Sequence, residues 1–96
     1  MHEYLIVLEK SDFAFSGYAP DVPGCGAVAD TLEETIVLLQ EALEFHVQGL
    51  VDDGEGIPLP SGAEAYRIAV EQSRGEEYFL THIAVAIPDN KNLQAA

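Results

Sequence analysis

The strongest constraint on this chain is a long amphipathic helix whose start is written into the sequence. Thr31 stands directly before an apolar-periodic stretch, and Glu34 follows three positions later. That is capping-box spacing. The threonine hydroxyl accepts from a free backbone N–H of the first turn, and the Glu34 carboxylate reaches back to the Thr31 N–H. Glu33 and Glu34 also complement the positive end of the helix dipole. Leu32, Ile36, Leu39, Leu43, Val47 and Leu50 then recur at three- and four-residue steps, which is one face of a helix. Glu33, Glu41, Glu44 and Asp52 fall off that stripe. Asp53-Gly54 and Gly56 close it, so the spacing predicts a helix over residues 31–53.

Such a stripe has to be buried, and the flanking segments read as strands. Residues 2–10 (HEYLIVLEK) form an apolar run rich in Tyr, Ile and Val, expected of a strand covered on both faces. Ser11-Asp12 suggests a turn. Residues 13–19 (FAFSGYA) alternate aromatic with small side chains and predict a second strand. Pro20, Pro23, Gly24 and Gly26 make the next segment a loop with fixed turns, and residues 26–29 supply a third, short strand. The result is an antiparallel meander.

After the helix, Ile57-Pro58-Leu59-Pro60 is extended, because each proline pushes its predecessor out of helical geometry. Ser61 and Glu64 repeat the capping-box spacing ahead of a shorter helix over 63–73, which Gly75 stops. Residues 78–87 (YFLTHIAVAI) predict a fourth strand, ended by Pro88; residues 91–96 have little to bury and are expected to fray. The fold class is therefore α+β: a three-strand meander, a long helix, a short helix and a fourth strand. Residues 1–90 form a single domain, with one sheet covered on one face by the long helix. The fourth strand is a sheet edge or a covered interface, and a homo-oligomer, dimer or higher, is expected.

Ninety-six residues with 48% apolar content can build one core. No apolar run approaches the roughly 20 residues of a membrane helix. The opening MHEYLIVLEK lacks the basic start and cleavage site of a signal peptide, and a single cysteine, Cys25, fits a reducing compartment. An unprocessed cytoplasmic protein is expected. Seventeen Asp and Glu against four Lys and Arg give a formal charge of −13. That balance disfavours direct nucleic acid binding, which depends on Lys and Arg displacing counterions from phosphate. It favours encounter with a basic surface, although composition alone reads first as a solubility device.

No catalytic arrangement emerges. Glu9, Asp12, Asp21 and Asp30 match no metal-loop spacing, and turns favour Asp for its own backbone bonds. His2, His46 and His82 form no ligand pair. Cys25, in Pro-Gly-Cys-Gly, has no activating base nearby in sequence, and Ser16, Ser61 and Ser73 sit in no nucleophile elbow. The glycines form neither a P-loop nor a dinucleotide fingerprint. No catalytic, metal or cofactor site is expected, and the protein is read as a non-enzyme.

From Tyr4 through Pro60 the chain resembles the HicB-like antitoxin family. The residues that carry the likeness are Y-L-I-V-L-E in the first strand, G-Y-A-P-D-V-P-G-C-G at 17–26, Ala29-Asp30-Thr31 with Glu33-Glu34, the helix ending near Gly54, and Ile57-Pro58-Leu59-Pro60. The ordered combination is more specific than any one piece. The resemblance implies a partial ribonuclease H fold. It implies a role in binding and silencing a small basic messenger-RNA-cleaving toxin of HicA type. It also makes Tyr18, Pro20, Asp21, Pro23, Gly24 and Cys25, together with Glu33, Glu34, Glu41 and Glu44, the candidate partner-binding residues. Family antitoxins commonly add a C-terminal DNA-binding segment, for which the residues after Pro88 are too few, so autorepression is not expected. The alternatives are a stand-alone regulatory or scaffold domain and, more remotely, a ribonuclease H-like nuclease. The latter is opposed by a first strand with Glu3 and Glu9 only at its ends and an apolar centre.

Overall fold

The first strand is the spine of the molecule. In the computed structural model, which describes residues 2–73 and 78–87, β1 spans His2–Lys10, and Tyr4 to Leu8 are buried without interruption. β2 (Phe15–Tyr18), β3 (Gly26–Ala29) and β4 (Tyr78–Val85) complete one antiparallel sheet in the order β3-β2-β1-β4. α1 (Leu32–Asp52) and α2 (Ala63–Ser73) join β3 to β4. The α+β class and the element order are those expected from the sequence.

Two strands are shorter than their composition predicts, for identifiable reasons. β2 begins at Phe15 because Ser11 and Ala14 bond each other across a turn: Ser11 N–H donates to Ala14 O at 2.9 Å, and Ala14 N–H donates to Ser11 Oγ at 3.2 Å. Phe13 projects from that turn, 92% exposed. β4 ends at Val85 because its ladder with β1 ends at the His2–Val85 pair. The predicted fraying of residues 91–96, the Gly75 stop and the Pro88 strand end lie outside the described residues.

Both faces of the sheet are covered, not one. Alternation along β1 sends Tyr4, Ile6 and Leu8 to α1, where Leu39, Leu43 and Val47 meet them with Ile83 and Val85 of β4. It sends Leu5 and Val7 to the opposite face, where Ala65 and Ala69 of α2 pack on them with Tyr78 and Leu80. A strand apolar at every central position demands cover on both sides. The two alanines, four residues apart, give α2 a smooth face that can sit close.

α1 crosses β2 at Gly17. A Cβ there would lie 2.9 Å from Leu8 Cδ2 and 3.2 Å from Leu39 Cδ2, so only glycine fits without displacing core side chains. The α1 stripe differs at its ends from the pattern in the sequence. Thr35 is fully buried, its hydroxyl donating to Thr31 O at 2.8 Å, whereas Ile36 and Leu50 are only half-buried. Thr31 caps the helix as predicted, its Oγ1 accepting from Glu34 N–H at 3.1 Å. Glu34 itself is exposed, and the reciprocal bond to the Thr31 N–H is not formed among the described residues.

Candidate partner-binding face

The segment between β2 and β3 is a loop pinned from three directions. Ala19 O accepts from Val22 N–H at 3.0 Å and Val22 O from Cys25 N–H at 3.4 Å, giving two successive turns. Pro20 and Pro23 fix φ at two positions, and Gly24 takes the left-handed value of 90° that the second turn requires. Val22 anchors the loop by inserting fully into the core beneath α1. Asp21 clamps the chain ahead of α2: Ser61 Oγ donates to its Oδ1 at 2.6 Å and Ser61 N–H to its Oδ2 at 2.9 Å. The predicted capping box at Ser61–Glu64 therefore does not form. The serine hydroxyl is spent on Asp21, and the Glu64 carboxylate pairs with Arg67. On β1, the Tyr4 hydroxyl donates to Pro58 O at 2.5 Å, holding the same extended segment against the sheet.

Cys25 ties the loop to the middle of α1, its thiol directed at Ala42 O at 3.9 Å. The residue is buried, and that burial pushes the thiol pKa up. Thiol titration with a disulfide reagent near pH 8 is accordingly expected to label the native chain at least about tenfold more slowly than the chain in denaturant. Equal rates would show that the loop does not hold the thiol under α1.

The outer surface of α1 carries the other candidates. Glu33, Glu34, Glu41 and Glu44 are all exposed, and none of them is in an ion pair among the described residues. Arg67 is already engaged by Glu64 and, at 2.6 Å, by Glu71. Between the carboxylates stand three apolar side chains that the sequence pattern did not single out: Val37 is 55% exposed, Leu38 44% and Phe45 83%. An open depression is lined by Glu33, Glu34, Val37 and Leu38. By helical spacing Leu38, Ala42 and Phe45 share one flank of α1. The Cys25–Ala42 contact seats the loop, with its exposed tip Pro23-Gly24, along that same flank. Apolar residues off the core stripe were the signal that could have revealed them.

Of the residues implied by resemblance, Pro20, Asp21, Pro23, Gly24 and Cys25 share one loop, which Cys25 ties to α1 at Ala42 and Asp21 ties to Ser61, while Glu33, Glu34, Glu41 and Glu44 lie on the outer surface of α1. Tyr18 does not join them. It pairs with Val7 and packs with the α2 side of the sheet, where its hydroxyl is buried with no hydrogen-bond partner among the described residues. Burial, with a smaller contribution from Glu9, raises its pKa. Glu3 and Glu9 stand at opposite ends of β1, about 20 Å apart at ordinary strand rise, too far to share one ion. No group of three or more His, Cys, Asp or Glu among the described residues is placed to hold a metal. No helix among them is long and apolar enough to cross a membrane.

Solved structures define the class. The fold superposes with a TM-score of 0.69 and 25% identity on a chain of a HicA3 and HicB3 toxin-antitoxin complex, covering 88% of this chain and 98% of that one. The N-terminal domain of the Burkholderia pseudomallei antitoxin HicB gives a TM-score of 0.68 at 24% identity, covering 86% and 99% of the two chains. This is the architecture of an antitoxin domain. The profile of the HicB-like antitoxins of bacterial toxin-antitoxin systems matches residues 4–95, and the chain belongs to that family. It is 33% identical over 82 residues to an uncharacterized 14.9 kDa protein of Haemophilus phage HP1, a match that covers 85% of this chain and 59% of the phage protein.

Proposed function

We propose that this protein is a non-enzymatic cytoplasmic antitoxin that binds and silences a small basic RNA-cleaving toxin of HicA type. The observation that carries the reading is its likeness, over nearly the whole of that chain, to a chain of a complex between a HicA and a HicB protein. Charge supports it independently. A protein that cleaves RNA presents a basic surface to phosphate, and an unneutralised carboxylate face can occupy that surface instead. Glu33, Glu34, Glu41 and Glu44, exposed on α1, form such a face. The test is co-expression with the product of the neighbouring gene. Rescue of growth and a stable purified complex are expected; neither appearing would leave a solitary regulatory or scaffold domain as the better reading.

Self-association is part of the proposal. β4 is an edge strand of eight residues with no Asp, Glu, Lys, Arg or proline, so it lacks the devices that keep edges from pairing. Light scattering is expected to give at least twice the 10.4 kDa chain mass. A monomer mass at micromolar and higher concentration would remove the oligomer and leave toxin binding to be judged separately.

A further inference from the structure

We infer that Leu38 and Phe45, with Val37 beside them, are the anchors by which α1 grips its partner, and that the matching toxin surface is an apolar patch rimmed by Lys and Arg. The inference rests on the antitoxin reading and adds to it the residues that set affinity.

The outward side of a surface helix is normally polar, because apolar groups left in water gain nothing on folding. α1 departs from this on one flank. Its core stripe is complete without these three residues, since Leu39, Leu43 and Val47 are fully buried and Leu32 and Ile36 pack beside them. Phe45 nevertheless stands 83% exposed and Leu38 44%, two turns apart with Ala42 between them. The small Ala42 leaves the space between the two larger side chains low, and the loop held there by Cys25 gives the flank a wall. A partner side chain can therefore be received between two apolar posts. Large side chains that lose their water on contact are the kind that carry most of the binding energy in an interface.

Charge decides what the partner is. Glu34 and Glu41 border the flank on one side, and Glu33 and Glu44 lie across the outer surface beside Val37, all unpaired among the described residues. A second copy of this chain would bring two such carboxylate sets together, and nucleic acid would bring phosphate against them; both are repelled. An apolar patch with a basic rim is complementary at centre and edge alike. The two kinds of residue then divide the work: the carboxylates steer encounter, and the apolar pair slows release.

The experiment is a binding measurement on the full chain, with a purified HicA-type protein as probe. Leu38→Ala and Phe45→Ala are each expected to weaken binding by at least about 30-fold, almost entirely through faster dissociation. Phe13→Ala removes a phenyl ring that is 92% exposed and lies off α1, so it serves as the control and should leave affinity unchanged. Because all three side chains are exposed, thermal melting should be preserved. Variants at 38 and 45 that bind within about threefold of the wild type would overturn the inference while leaving the antitoxin reading intact. So would unchanged toxin affinity with a halved mass in light scattering, which would assign the flank to a second copy. If the wild-type chain binds no such toxin, the antitoxin reading falls and this inference falls with it.

Discussion

Replacing Leu43 with alanine is expected to cost about 2–5 kcal/mol of folding stability, the range for deleting a buried leucine side chain. Leu43 is fully buried at the centre of α1, packed into the cluster that joins Tyr4, Ile6 and Leu8 of β1 to Ile83 and Val85 of β4. β1, directly opposite, is hydrogen-bonded to a strand on each side and covered by α2 behind, so it has little freedom to move into a cavity. Small domains have about 5–15 kcal/mol to lose, so this one substitution removes a large fraction of the whole. For a chain of this size the melting temperature should fall by at least about 10 °C. An unchanged melting temperature would show that α1 does not sit on the sheet through Leu43.

Reversing Glu33, Glu34, Glu41 and Glu44 to lysine should have the largest effect on function. Each reversal changes the charge by two units, so the four take the formal charge from −13 to −5 and turn the outer surface of α1 basic. If that surface steers a basic toxin, association at low salt should slow by about 10- to 1,000-fold. Its dependence on ionic strength should flatten, and the dissociation rate should change less. Two of the four sit in the first turn, where lysine opposes the helix dipole at about 0.3–1 kcal/mol each, so melting has to be followed in parallel. A folded variant with the wild-type association rate and salt slope would place the toxin-binding surface elsewhere.

These two predictions differ in how far they can be read without coordinates. Leu43 is legible from spacing alone, as is its helix, because a capping threonine and a three-and-four apolar period are local rules. β1 was legible for the same reason, as was its burial on both faces, since an unbroken apolar run has no polar side to offer water. The Pro20–Gly26 loop is visible as a loop from its prolines and glycines. The resemblance to HicB-like antitoxins, carried by those same segments, pointed to the family that the profile match then showed.

What the chain pattern could not decide was which residues meet across space. Both serine and aspartate at 61 and 21 had plausible local partners, a capping box for one and a turn for the other. They bond each other instead across 40 positions of sequence, because the strap from Ile57 to Pro60 is held against β1 by Tyr4 and delivers Ser61 to the loop. Tyr18, only two residues from Pro20, is carried to the opposite face by strand alternation. Phe45 and Leu38 look in sequence like further members of an apolar helix. Only the position of the sheet shows that they point away from it. Local rules thus determined the elements and the sign of the charge. The tertiary structure alone decided which distant residues meet and which apolar side chains off the core stripe are left to water, because that depends on where a distant strand comes to rest.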